Sequence, residues 1–377
     1  DGTSTFTGWS GACTGIGTCS VTMDAAESVT ANFTAGNLYS LAVAKSGSGE
    51  GTVASSPLGI DCGNTCSAGF AENREVILTA TADSISIFTG WSGACTGNET
   101  CTVTMSQARS VTASFRWRFT DVTAAYNHSC GVRQDGTAVC WGANEVGQCS
   151  APVGQFTYVS ALGHFTCGLK TDSTIACWGA NDFGQTNPPT GQFLGVAAGC
   201  GHACGIKSDG TIACWGANNY GQLNGVPAGT FLQISAGCLH TCAVKADKSV
   251  ACWGCNDNGQ STPLAGEFTQ VDGGHYFTCG LRSDASVACW GYNGDGQTNP
   301  PAGTFAFVSA GSSHTCAIKA DSTLACWGRS NHGQSTPPSG TFTKLSAGFD
   351  YNCGIRADGT VSCWGTGEVS TGQATPP

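Results

Sequence analysis

Seven Cys-Trp-Gly triplets divide residues 117–377 into units of nearly constant length. Their tryptophans are Trp141, Trp178, Trp215, Trp253, Trp290, Trp327 and Trp364, spaced 37, 37, 38, 37, 37 and 37 residues apart. The one extra residue falls in the linker GQLNGVPAGTF. Each unit reads as three short strands punctuated by Gly, Asp and Asn, and no segment keeps a helical period beyond two turns. Evenly spaced short strands in units of this size predict an all-β chain whose larger part is a seven-bladed β-propeller.

A second landmark sets the register within each unit. Cys130/Cys140, Cys167/Cys177, Cys204/Cys214, Cys242/Cys252, Cys279/Cys289, Cys316/Cys326 and Cys353/Cys363 are all ten apart. Between the first pair lies Gln134-Asp135-Gly136. Read as a three-residue hairpin loop with a left-handed Gly, it places residue 133 opposite 137 and therefore 130 opposite 140. Facing residues on antiparallel strands lie within disulfide reach. Each bridge closes a short loop, for roughly 2.5–3 kcal/mol in the chain-entropy account. That exceeds the cost of about 1 kcal/mol or more for positive φ at Ser173, Lys248, Ala285 and Ser322, which stand in the Gly slot. Trp and Cys are sequence neighbours, so they point to opposite faces of one strand. Both faces are then expected to be buried, as stacked blades require.

The other ten cysteines lie outside this ladder. Cys13/Cys19, Cys62/Cys66 and Cys95/Cys101 are local pairs. Cys238 and Cys255 flank the Cys242/Cys252 pair almost symmetrically, so a second bridge is expected there. Cys149 and Cys200 are left to pair with each other or with another chain. So many cysteines (24 in 377 residues) without zinc-ligand spacing indicate an oxidising, extracellular compartment.

The N-terminal part is a different repeat. Residues 5–33 recur at 87–115 with an offset of 82, matching Trp9 to Trp91, Cys13 to Cys95 and Phe33 to Phe115. The full unit, 36–116, has the strand-like segments LYSLAVAKS, GTVASS, REVILTATA, ETCTVTM and SVTASF. Residues 1–35 match only its back half. The expected domains are thus 1–35, 36–116 and 117–377. With no Met and no leader pattern at Asp1, the chain reads as a mature or excised product.

The GSGEGTV turn and the GWSGACTG segment make 36–116 similar to the divergent internalin-B-type bacterial repeat. The A-G-x-x-H-T, D-G-x-V and W-G-x-N-x-x-G-Q elements of the seven units resemble the regulator of chromosome condensation repeat. The short linkers resemble the secreted bacterial propeller that inhibits β-lactamases. The resemblance implies a propeller that binds proteins through its faces. The Cys-x9-Cys ladder departs from that family, and the nuclear role of its eukaryotic members sits badly with disulfides.

Little in the sequence points to chemistry. His128, His202, His240 and His314 recur two residues before a ladder Cys, but Phe165, Phe277 and Tyr351 fill the same slot elsewhere, which favours packing over a metal. Lys/Arg-x-Asp recurs in all seven turns, from Arg133/Asp135 to Arg356/Asp358, as solvated turn chemistry. No nucleophile elbow, metal-protease or phosphate-loop motif occurs, so neither enzyme activity nor a cofactor is expected. No apolar run is long enough to span a membrane, and no basic stripe suits nucleic acid. Asn32, Asn98 and Asn127 begin glycosylation sequons. Five residues past the Trp, consecutive units carry Val146, Phe183 and Tyr220, a candidate partner surface. The expectation is a secreted or surface-displayed structural and adhesive protein, with self-association through residues 1–35 into a filament or sheath. The alternatives are a soluble protein-binding or inhibitory module and a carbohydrate-binding propeller.

Overall fold

The computed structural model describes residues 4–365 and 371–377. The chain forms two compact units, Asp1–Arg116 and Trp117–Pro377. All regular structure among the described residues is β.

In the first unit β1 (Ser4–Gly11) and β2 (Val29–Ala35) form a two-stranded antiparallel sheet. Seven further strands follow. They are β3 (Leu38–Ser46), β4 (Gly51–Ser56), β5 (Ser67–Ala71), β6 (Glu75–Ala82), β7 (Ser86–Gly93), β8 (Cys101–Thr104) and β9 (Arg109–Trp117). They make one sheet in the order β5-β3-β9-β7 and another in the order β4-β6-β8. β3 and β9 run parallel, with Val43 beside Val111. Leu41, Val43, Val111 and Phe115 from one sheet share a core with Val53, Val76, Leu78 and Val103 from the other. The shorter repeat lacks such a cover. Phe33 is 61% exposed where its counterpart Phe115 is fully buried, and Met23 is 74% exposed where Met105 is fully buried.

Among the described residues the second unit contains seven three-stranded antiparallel sheets. The first has an inner strand Phe119–Ala124, a middle strand His128–Arg133 and an outer strand Ala138–Gly142. The last has Phe342–Ala347, Asn352–Arg356 and Val361–Trp364. In every sheet the two ladder cysteines face each other across the middle and outer strands. The bridges are Cys130–Cys140, Cys167–Cys177, Cys204–Cys214, Cys242–Cys252, Cys279–Cys289, Cys316–Cys326 and Cys353–Cys363, all with Cα–Cα 4.0–4.1 Å. The turn that sets this register is the one the sequence predicts. Arg133 donates its N–H to the Thr137 carbonyl at 2.9 Å, and Gly136 has φ 84°. Ser173, Lys248, Ala285 and Ser322 hold the same slot at φ 65–67°. The Asp of each turn accepts the N–H two residues on, at 2.9 Å for Asp135 and Asp209.

One expectation needs correcting within the ladder. Burial on both faces of the outer strand is incomplete. The middle-strand cysteines are fully buried, whereas their partners Cys140, Cys177, Cys214, Cys252, Cys289, Cys326 and Cys363 are only half-buried. The outer strand is the edge of each sheet, and the next sheet does not reach far enough to cover its cysteine face. Five of the seven neighbouring tryptophans are buried, and Trp327 and Trp364 are half-buried as well.

Sheets pack face to face, each presenting its cysteine face to the Phe/Trp face of the next. Cys130 and Val132 pack with Phe156, Val159 and Trp178. Cys242 and Val244 pack with Phe268, Val271 and Trp290. The seventh sheet completes the series by packing Cys353 and Ile355 against Phe119 and Trp141 of the first. The Tyr351 hydroxyl donates to the His128 carbonyl at 2.6 Å, and the Ala124 N–H donates to Ser346 Oγ at 2.9 Å. The sheets therefore close into a ring.

The histidine slot belongs to these interfaces. His128, His202 and His240 each bond the next sheet's threonine, and His314 bonds Asn352, all at 2.8 Å. The ring of His240 lies so close to Gly237 that a Cβ there would meet Cε1 at 2.4 Å. This contact explains the glycine of the A-G-x-x-H element.

Cys238 does not pair with Cys255. It is bridged to Cys200, Cα to Cα 4.5 Å, and Cys255 is a buried free thiol. The symmetry argument carried the middle–outer register past the end of the middle strand, which starts at His240. Cys238 instead lies in the inner-to-middle turn closed by the Gly237 N–H and the His240 carbonyl. Its neighbour in space is the same slot of the preceding sheet, Cys200. Cys149 is the second free thiol, half-buried and donating to the Ala143 carbonyl. The local pairs Cys13–Cys19, Cys62–Cys66 and Cys95–Cys101 are bridged.

Candidate functional site

The ring has two ends. The Lys/Arg-x-Asp turns connect middle to outer strands at one end. The inner-to-middle turns and the segments after each Cys-Trp-Gly share the other.

At that second end, the W-G-x-N-x-x-G-Q element builds a rigid turn. Asn181 Oδ1 accepts the Thr186 N–H at 3.1 Å, and Gly184 has φ 76°. The Gln185 side chain is buried, and its Oε1 accepts the Phe183 N–H at 2.8 Å. Gln148 and Gln222 hold Val146 and Tyr220 in the same way, at 2.9 and 2.8 Å. The glutamine carbonyls have a second role. Six of the seven tryptophans donate Nε1–H to the Gln carbonyl of the sheet before them around the ring, as Trp215 does to Gln185 at 2.9 Å. Sequence reasoning missed these glutamines, although a Gln follows the Gly in every unit.

The turns thus push Val146, Phe183 and Tyr220 outward, and they are 49%, 56% and 51% exposed. Phe183 lies over Gly201 of the next sheet, where an added Cβ would stand 3.5 Å from its ring. Gly201 adjoins the bridged Cys200, so the Phe183 ring borders the axial end of the ring of sheets. There Tyr126, His164, His275, Ser312, Phe349 and the Cys200–Cys238 bridge line a pocket of about 250 Å3.

The inner strands line an axial channel of about 480 Å3. Two carboxylates stand on its wall, Asp121 buried and Asp272 half-buried, and sequence reasoning singled out neither. Asp272 fills a slot that is Ser in most units. It accepts from Ser235 Oγ, Ser309 Oγ and the Ala310 N–H at 2.6–3.0 Å, and burial raises its pKa. Asp121 accepts the Val159 N–H at 2.9 Å and lies 3.9 Å from Lys344 Nζ. Burial outweighs both partners and pushes its pKa up to about 7. Both carboxylates tie neighbouring sheets together.

The remaining candidate residues scatter. Among the described residues, Arg133–Asp135 is the one ion pair within the turn series, at 3.1 Å. Arg282 and Arg356 lie over the rings of Phe268 and Phe342 instead. Asn98 is exposed, Asn32 is exposed with its amide bonded to Gly8 and Ser10, and Asn127 is half-buried with Oδ1 buried. No group of three or more His, Cys, Asp or Glu among the described residues is placed to hold a metal. No helix among them is long and apolar enough to cross a membrane.

With this geometry in place, comparison with known proteins is informative. A family model for the divergent InlB B-repeat domain matches residues 1–37 and 40–117. A model for the regulator of chromosome condensation (RCC1) repeat matches 119–148, 194–222, 231–260, 268–297, 305–334 and 342–370. Among solved structures, the chain is similar to the CRINKLY WD40 ectodomain of the Arabidopsis thaliana receptor kinase ACR4. That match has 27% identity, 66% of this chain, 98% of the other and a TM-score of 0.57. The ectodomain of the Physcomitrella patens receptor kinase CR4 matches at 24% identity, over 66% and 74%, with a TM-score of 0.58. Prp20p of Saccharomyces cerevisiae, whose binding to Gsp1p and histones has been described, matches at 14%, over 66% and 83%, with a TM-score of 0.54. No curated protein matches the chain.

Proposed function

The chain carries regulator of chromosome condensation repeats behind divergent InlB B-repeats, and from that premise we propose a seven-bladed, disulfide-stapled propeller that binds another protein outside the cell without catalysis. The single observation that carries this reading is the row of exposed side chains Val146, Phe183 and Tyr220 on three consecutive sheets. Clusters of exposed apolar and aromatic residues on one face are interaction surfaces more often than isolated ones are. Two features support an extracellular, non-catalytic role. Eleven disulfides fit an oxidising compartment. The carboxylates of the channel are engaged in bonds between sheets. The similar plant structures are receptor ectodomains, and Prp20p binds proteins; both are consistent with recognition through a propeller face.

Replacing Phe183 and Tyr220 together by Ser is expected to weaken partner capture about a hundredfold while the melting temperature stays within about 2 °C. Capture from the secreted fraction of the source culture, followed by titration of the captured protein, measures this. Unchanged affinity, or a fall in melting temperature that accounts for the loss, would refute the site.

A second reading, self-association into a structural or adhesive assembly, is favoured by the bare apolar face of β1 and β2. Val29 and Phe33 are exposed there, as is Met23 in the segment between the two strands, whereas Val111, Phe115 and Met105 are covered in the complete repeat. Deleting residues 1–35 is expected to convert any assembly to monomers in light scattering, with the propeller still folded. Assemblies of unchanged mass after the deletion would discard this reading.

A further inference from the structure

The pocket at the axial end has a composition that the protein-binding reading does not use. Most of its wall comes from one slot of the inner-to-middle turn, filled in successive sheets by Tyr126, Gly163, Cys200, Cys238, His275, Ser312 and Phe349, with Leu162 and His164 beside it. Nothing in the fold dictates this slot, since seven sheets use six residue types there. Phe349, Tyr126 and His164 sit on three consecutive sheets around the ring, and His275 stands two sheets from Phe349. Tyr126 lies 4.4 Å from Phe349 and 5.0 Å from His164, centroid to centroid, and His275 lies 6.2 Å from Phe349. Gly163 and the Cys200–Cys238 bridge leave room opposite. The result is a small cup with aromatic faces on one side and a crosslinked, low wall on the other.

We propose that this pocket binds a single pyranose ring of a glycan. Its volume of about 250 Å3 accommodates one hexose-sized residue. The rings offer flat apolar surface to the C–H face of a sugar. The cup is mostly apolar, and four of its lining residues carry hydrogen-bonding groups. The Tyr126 hydroxyl, the His164 and His275 imidazoles and Ser312 Oγ have no hydrogen-bond partner among the described residues. An apolar side chain seated here would cover these groups without pairing them, which costs about 1–3 kcal/mol for each one buried. A pyranose presents a C–H face to the rings and hydroxyls to the polar groups at once. The half-buried His275 favours its neutral form, because burial lowers its pKa, and a neutral imidazole both donates to and accepts from hydroxyls. The Cys200–Cys238 bridge joins two sheets across the cup and fixes its width.

Saturation-transfer NMR on the intact chain tests this, with methyl glycosides of glucose, galactose, mannose and N-acetylglucosamine as probes and N-acetylphenylalaninamide as the competitor class. At least one glycoside is expected to receive saturation, strongest on the C–H protons of one ring face. Tyr126→Ala should weaken it about tenfold. Phe349→Leu, which keeps apolar volume and removes the ring, should do the same at an unchanged melting temperature. Ser312→Ala should weaken it several-fold. Silence from all four glycosides overturns the proposal. So does binding that survives Phe349→Leu, or binding of N-acetylphenylalaninamide alone, which would make the cup a socket for a partner's side chain. Phe183→Ser with Tyr220→Ser should leave glycoside binding intact, so failure here and failure of the protein-binding surface remain separate results.

Discussion

A chain ended at Ser370 is expected to melt at a markedly lower temperature than the full chain, while one ended at Ala374 should be nearly unchanged. The difference lies in how the ring closes. Trp141 of the first sheet has no earlier repeat unit in the chain to supply the Gln carbonyl that other tryptophans use. It takes the carbonyl of Gln373 instead, at 2.8 Å, and Ser129 Oγ donates to the same oxygen at 2.9 Å. The Thr371 hydroxyl donates to the Asn127 carbonyl at 2.9 Å. The last few residues therefore occupy, against the first sheet, the position that each linker holds against the next. Removing residues 371–377 deletes three hydrogen bonds. It strands the buried Trp141 donor, while Ser129 Oγ keeps the Tyr351 hydroxyl as a partner at 2.8 Å, for about 2–6 kcal/mol in total. Removing only 375–377 deletes the turn bond from the Thr375 N–H to the Gly372 carbonyl. Thermal unfolding of the two truncations decides the matter. Equal melting temperatures would mean that closure rests on the contacts between the last and first sheets without the C-terminal segment.

Much of this arrangement was legible because repetition turns weak local signals into strong ones. One Asp-Gly turn predicts little. Seven turns, each with cysteines at the same distance, determine register, and the left-handed conformations of Ser173, Lys248, Ala285 and Ser322 follow from it. The alternation of Trp and Cys implied burial on both faces of the outer strand. That holds for Trp141 and Trp178 but only by half for Cys140 and Cys177, because how far one sheet overlaps the rim of the next is not a local property. What stayed hidden was contact between units. Nothing local joins Cys200 to Cys238, because their proximity arises when equal slots of neighbouring sheets stack around an axis. The same stacking gathers Tyr126 and Phe349, which are more than two hundred residues apart, into one pocket. The buried glutamines were missed for another reason. A polar residue in a Gly-rich segment reads as loop, and its burial emerges only once the turn N–H and the next tryptophan are in place. The parallel pairing of β3 with β9 was equally invisible, since strand order depends on the whole chain.

Acid should unfold the ring of sheets earlier than its disulfides would suggest. The cause is the histidine slot. His128 and His240 have pKa values lowered to about 3, and His202 and His314 to about 4, with burial as the leading cause in each. Each stays neutral in the folded protein, while the unfolded chain protonates near its ordinary 6.5. A folded pKa below the unfolded one gives stability that is present above about 6.5. It is lost progressively as pH falls toward 4. At pH 4.5 the loss is about 2–3 kcal/mol per histidine. Asp121 and Asp272 act in the opposite sense. Their raised pKa values favour the folded state at low pH, a contribution that fades for Asp121 as pH rises through about 7. Four histidines outnumber two aspartates, so the net slope should be positive between pH 4.5 and 6.5. The melting temperature should accordingly fall as the pH is lowered from 6.5 to 4.5, with proton uptake on unfolding. His202→Phe isolates the cause, because Phe165 and Phe277 already occupy the same slot and are fully buried. The variant should take up about one proton fewer on unfolding and lose less stability between pH 7.5 and 4.5. A flat melting profile in the natural chain, or an unchanged slope in His202→Phe, would show that acid sensitivity does not arise from these buried imidazoles.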